Sequence, residues 1–152
     1  MRDALNQAYE ELKRVDHLIY VSLKYTRTAD VLKNILDRMI TSFDFIFDGV
    51  LAKAEQEGRI FEVPQAPALK CKELKALYPH EPTILECIDF YLLLRQLHRA
   101  EFTRVNEFRR HVGMVIQLPD REVTLDIDTV TEYYKRCMHY MHHIRDLLLK
   151  KE

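Results

Sequence analysis

Leu5, Ala8, Leu12, Val15, Ile19 and Leu23 follow one another at steps of three and four, the repeat that gathers apolar side chains on one face of an α-helix. A first helix over about residues 3–25 is predicted, leaving Glu10, Glu11, Lys13 and Arg14 on the wet side. Thr26–Asp30 offers capping side chains, so a second helix is expected from Ala29 to Glu57. Gly58 would end it, because glycine accepts the left-handed conformation that closes a helix. Leu32, Ile35, Leu36, Met39, Phe43, Ile46, Val50 and Ala54 form its apolar set. Phe43, Phe45, Ile46 and Phe47 spread over more than one face, and a helix apolar on several sides must be covered on several sides. Either this helix is central to a bundle, or its second face meets another subunit.

Pro64 and Pro67 make Arg59–Ala68 an extended connection. A short helix over Ala68–Tyr78 stops at Pro79, and Pro82 suits the first position of the next. Ile84, Leu85, Ile88, Tyr91 and Leu92 continue the helical repeat, with no Gly or Pro between Thr83 and Val112. One long helix could fill that stretch; a bend over Arg99–Thr103 fits a compact bundle better. Beyond Gly113, Met114–Leu118 and Glu122–Ile127 form either a short hairpin over Pro119-Asp120-Arg121 or an extended excursion within 114–127. Thr129-Val-Thr-Glu132 has the form of a capping box and opens the last helix, with Val130, Tyr133, Tyr134, Cys137, Met141, Ile144 and Leu148 inward. The expectation is an all-α fold, a single domain over 1–152 built as a bundle of four to five helices.

Composition narrows the function classes. Only 3 Gly and 5 Pro in 152 residues leave little turn material for an all-β fold. A formal net charge of −1 removes any whole-chain attraction to nucleic acid or anionic lipid, so such binding needs a local patch. Cys71, Cys87 and Cys137 are isolated and odd in number, which disfavours a disulfide framework or zinc site and points to the cytoplasm. The chain opens without a signal-peptide core, and its longest apolar run, Phe90–Leu94, is too short for a membrane span. Gly-rich phosphate loops, nucleophile elbows and dinucleotide fingerprints are missing, so no cofactor is expected.

One zone is locally basic: Arg95, His98, Arg99, Arg104, Arg109, Arg110 and His111 stand against only Glu101 and Glu107. On a helix, Arg104 and His111 would differ by about 20° in direction and lie two turns apart, beside a stripe of Val105, Phe108, Val112 and Val115. A histidine there titrates near neutrality, and an arginine clamps phosphate. The arrangement Arg104-x6-His111, followed by the Pro119 excursion and a closing helix, resembles HEPN domains (higher eukaryotes and prokaryotes nucleotide-binding). These are small helical bundles with an Arg-x4–6-His motif; many dimerise and act as metal-independent ribonucleases. The resemblance implies His111 as general acid or base and Arg104 as the phosphate-stabilising cation, both catalytic. Arg95, Arg99, Arg109 and Arg110 would then hold RNA. The alternative pairs Arg104 and His111 with Glu101 and Glu107 on a solvated helix shoulder.

His139, His142 and His143 could in part share a metal by spacing, yet they point away from the apolar stripe, and only Asp146 adds a carboxylate. A solvated face is expected there, and no metal site. Tyr9, Tyr20, Tyr25, Tyr133, Tyr134 and Tyr140 are read as packing residues. Two functional readings follow. One is a prokaryotic-type helical interaction module, a homodimer with a protein partner; the other is an HEPN-like domain that binds or cleaves RNA through its basic patch.

Overall fold

The computed structural model describes residues 2–149. Helix α1 (Arg2–His17) runs on through a π-helical turn (Leu18–Ser22) and a last turn, Leu23–Tyr25. Then come α2 (Ala29–Gln56), α3 (Pro67–Leu77) and α4 (Pro82–Arg99). Three strands follow, β1 (Phe102–Val105), β2 (Gly113–Gln117) and β3 (Glu122–Asp126), and α5 (Ile127–Leu149) closes the chain. The all-α expectation is therefore corrected: a small antiparallel sheet of order β1-β2-β3 accompanies five helices.

The periodic segments fold as their patterns require. Every member of the α1 stripe from Leu5 to Leu23 is buried, packed along α2. Thr28 caps α2, its Oγ1 accepting the Val31 N–H at 3.4 Å, and Gly58 ends the helix at φ +74°. One polar residue departs from expectation. Glu11 is only 5 % exposed, because Arg14 and Arg38 reach it at 2.6 and 3.3 Å from α1 and α2. A carboxylate can leave water at that position only because both oxygens are met by guanidinium.

Helix α2 is central. Phe43 and Phe47 are buried against rings from α4 and α5, so the many-sided aromatic cluster is covered from within one chain. That observation no longer asks for a second subunit. Beside the cluster, Tyr91 donates its hydroxyl to Asp44 Oδ1 at 2.5 Å. Burial raises the Asp44 carboxyl above its ordinary 3.8, against the opposing pull of that hydrogen bond and of Arg95 and Lys70. A raised folded-state value means the ionised form is penalised in the fold. Stability present below pH 3.8 is thus lost as pH rises through the raised value. Asp44→Asn, which still accepts from Tyr91, should melt higher than wild type at pH 7, with the gap closing by about pH 3. A variant that melts lower at pH 7 would show Asp44 to be stabilising as an anion.

The chain from residue 100 onward is where helix gives way. Ala100 is extended (φ −73°, ψ 156°) and ends α4. Residues 102–105 then pair with β2 in the register Phe102↔Ile116, Thr103↔Val115, Arg104↔Met114, Val105↔Gly113. A Cβ on Gly113 would meet Leu125 O and Val105 Cγ2 at 3.3 Å, so the strands approach closely where glycine stands. Val112, Met114, Ile116, Leu118 and Leu125 bury one side of the sheet. The expected hairpin over Pro119-Asp120-Arg121 is present as β2–β3. Strand β3 passes into α5 with no intervening residue. Asp126 ends the ladder opposite Gly113 and accepts the Thr129 N–H at 2.8 Å. It is Asp126, rather than the expected Thr129 box, that caps the last helix.

Candidate nucleic-acid interface

Residues 106–112 connect β1 to β2 and dock on the α1–α2 connection. Phe108 donates its N–H to Arg27 O at 2.6 Å, and Ala29 N–H donates to Glu107 Oε2 at 3.1 Å. Inside the loop, Arg109 N–H reaches Asn106 O and Val112 N–H reaches Arg109 O, both at 3.1 Å; Asn106 Nδ2 donates to His111 O at 3.2 Å. Glu107 thereby adds a negative charge at the start of α2, where unpaired backbone N–H groups favour one.

Arg104 is committed to this junction. Its guanidinium lies 2.9 Å from Asp30 and 3.6 Å from Glu107 and sits over the Phe102 ring. The Asp30 hydrogen bond leads the effects that push its pKa further above its ordinary value. The expected common helix for Arg104 and His111 does not form: Arg104 is on β1, and His111 is in the loop beyond it. No hydrogen bond or ion pair joins them among the described residues. Pairing with β2 overrides the local helical spacing. The Glu107 partner of the solvated-shoulder alternative is observed; Glu101 is not among the partners of Arg104.

The loop presents unusual side chains. Asn106 and Phe108 adopt φ +53° and +64°. Asparagine tolerates this region; for phenylalanine it is a strained state costing about 1–2 kcal/mol. The ring gains no burial in return, being 79 % exposed. Arg109 and Arg110 beside it are exposed, and their side chains make no ion pair or hydrogen bond among the described residues. Arg27 leaves its Nε buried without a hydrogen-bond partner. Two residues before it, Tyr25 is 85 % exposed, not the packing residue expected. The segments 24–30 and 104–111 carry Lys24, Arg27, Arg104, Arg109 and Arg110 with only two acids of their own, Asp30 and Glu107, both held by Arg104. His111 lines a cavity of about 260 Å³ with Arg110, Asp126, Ile127 and Asp128, where the charges are mixed.

Arg95 and Arg99 lie elsewhere. They line a groove at the far end of β1, a strand of four residues and so roughly 13 Å long. The predicted RNA contacts thus fall on two surfaces. The histidines of α5 differ from expectation too. His139 is exposed, whereas His142 Nδ1 lies 2.8 Å from Tyr9 Oη and His143 Nε2 lies 3.8 Å from Glu81. Among the described residues no three His, Cys, Asp or Glu side chains converge to hold a metal ion, and no helix is long and apolar enough to cross a membrane.

Phe108 and Tyr25 were not identified from sequence as exposed. Asn106, a residue at home in the left-handed region, was the one signal that the chain turns there. Comparison with protein-family models, curated proteins and solved structures finds no match to this chain.

Proposed function

We propose that this chain is a non-catalytic module that binds single-stranded RNA on the surface made by the 106–112 loop and the end of α1. The observation that carries the reading is Phe108. A phenylalanine held in a strained backbone and exposed, followed at once by two arginines with unpaired side chains, has no packing role to explain it. Exposed rings interleaved with cations stack unpaired bases and neutralise phosphates, a combination that tolerates many sequences. Three buried thiols without a disulfide suit the cytoplasm as its compartment. Homodimerisation and a protein partner remain compatible with this surface.

The HEPN-like ribonuclease using Arg104 and His111 is the competing reading. It has less support, since Arg104 is already neutralised by two carboxylates and His111 is not aligned with it.

Fluorescence anisotropy with a labelled single-stranded RNA, titrated across salt, tests the proposal. Binding should weaken linearly on a log–log plot. In Arg109→Ala/Arg110→Ala the slope should become shallower by about 1.4, two phosphate contacts on a single strand. A duplex should bind more weakly, its bases being already stacked. No binding at low salt, or a slope unchanged in the double variant, would refute the site. Cleavage of the RNA that disappears in Arg104→Ala and His111→Ala would instead establish catalysis.

A further inference from the structure

The groove that holds Arg95 and Arg99 encloses about 600 Å³ between the start of α3, one face of α4 and the β2–β3 turn, within the size range of small-ligand sites. Its wall is a single stripe of α4. Asp89, Leu92, Leu93, Gln96 and Arg99 recur at helical spacing and line the space, while Ile88, Tyr91, Leu94 and Leu97 of the same helix face the core. The stripe is apolar in its middle and charged at its ends.

Toward the Arg99 end the groove is lined by three arginines, Arg95, Arg99 and Arg121. The Arg99 side chain has no ion pair or hydrogen bond among the described residues. Arg95 makes no ion pair or side-chain hydrogen bond among the described residues; it lies 5.8 Å over the Tyr91 ring and also acts on Asp44, which lines a neighbouring cavity with it and Arg99. Arg121 comes in from the turn, touching only its exposed neighbour Asp120 at 3.2 Å. At the other end stands the Asp89 carboxylate, which would repel an anion there and accept a hydrogen bond. The first turn of α3 borders the same space, with Pro67 at its start and no capping side chain, so its free N–H groups add to the positive field. The cavity and its three arginines carry the argument; the helix start only reinforces it.

We propose that this groove is a separate binding site for a small organic phosphate. The phosphate lies against Arg95, Arg99 and Arg121, the organic body covers Leu92 and Leu93, and a hydroxyl or amino group faces Asp89. This site is independent of the RNA reading, and each can fail alone. The same phosphate chemistry could arrive in an RNA strand, and the test separates the two sources.

Isothermal titration of the full chain with AMP, ribose 5-phosphate and inorganic phosphate, with adenosine as the uncharged control, reads the site. At least one organic phosphate should bind saturably and more tightly than inorganic phosphate, while adenosine gives no saturable heat. Losing one charge-assisted contact costs about tenfold in affinity, so Arg99→Ala/Arg121→Ala should weaken binding about a hundredfold. Lys72→Ala, on α3 outside the groove, should change nothing. Asp89→Asn should weaken the organic phosphate whose hydroxyl or amino group faces it while leaving inorganic phosphate no weaker, a selectivity that a misfolded protein cannot produce. No saturable binding by any of the three phosphates overturns the proposal, as does affinity unchanged in the double arginine variant. RNA binding that falls in that double variant while the small phosphates stay silent would assign the groove to the strand and overturn it equally.

Discussion

Phe43→Ala is expected to lower the unfolding free energy by about 3–5 kcal/mol and the melting temperature by roughly 6–20 °C for a chain of this size. The ring is fully buried. Its centroid lies 5.8 Å from Phe47, 6.0 Å from Phe90, 6.1 Å from Tyr91 and 6.5 Å from Tyr140, so three helices meet on it. Side chains anchored on three different helices cannot all move inward to fill the space, and a cavity remains. Urea unfolding with an unchanged slope would give the loss directly. A loss below about 1 kcal/mol would mean that the cluster is loosely packed. Light scattering on the same variant adds a second reading. The mass should match wild type, because the ring is covered within one chain; a change of mass would place the cluster between subunits.

Phe108→Gly should move stability and binding in opposite directions. Glycine takes φ +64° without the Cβ penalty and keeps the N–H that reaches Arg27 O. Relief of about 1–2 kcal/mol of strain, less glycine's greater entropy in the unfolded chain, leaves a gain of up to about 1 kcal/mol. The same change removes the stacking ring, worth about 1–3 kcal/mol per base, and should weaken single-stranded RNA binding by roughly 5- to 150-fold. Phe108→Tyr should keep the affinity. If Phe108→Gly binds RNA like wild type, the ring is no reading element and the proposed surface is wrong. If it is less stable than wild type, the ring makes contacts that outweigh its strain.

The helices were legible because burial and spacing agree: Leu5 through Leu23 are core on α1, and the Thr28 cap and the Gly58 stop fall where the sequence puts them. The segment after Arg99 was not. Lack of Gly or Pro between Thr83 and Val112 removes a stop signal without supplying a helix. What decides the matter is pairing of Phe102–Val105 with residues eight to fourteen positions later, a contact that local spacing does not encode. Once β1 is a strand, Arg104 turns to Asp30, far away in sequence, and the spacing to His111 loses its helical meaning. Glu11 misled for a related reason: one of the two guanidiniums that let it be buried comes from Arg38, on another helix. Positions governed by their own helix were readable, and positions governed by a distant partner were not.

The direct passage from β3 into α5 through Asp126 bears on recognition. A hairpin joined to a bundle by a flexible linker would surrender much of its freedom on binding, and that loss would be subtracted from the affinity. Here the sheet is spliced to the closing helix at one end and pinned to the α1–α2 connection at the other by Arg104, Glu107 and the Phe108 N–H. The backbone that carries Phe108, Arg109 and Arg110 is therefore held in place, and on the proposed RNA-binding reading little of the contact energy would be diverted to ordering it.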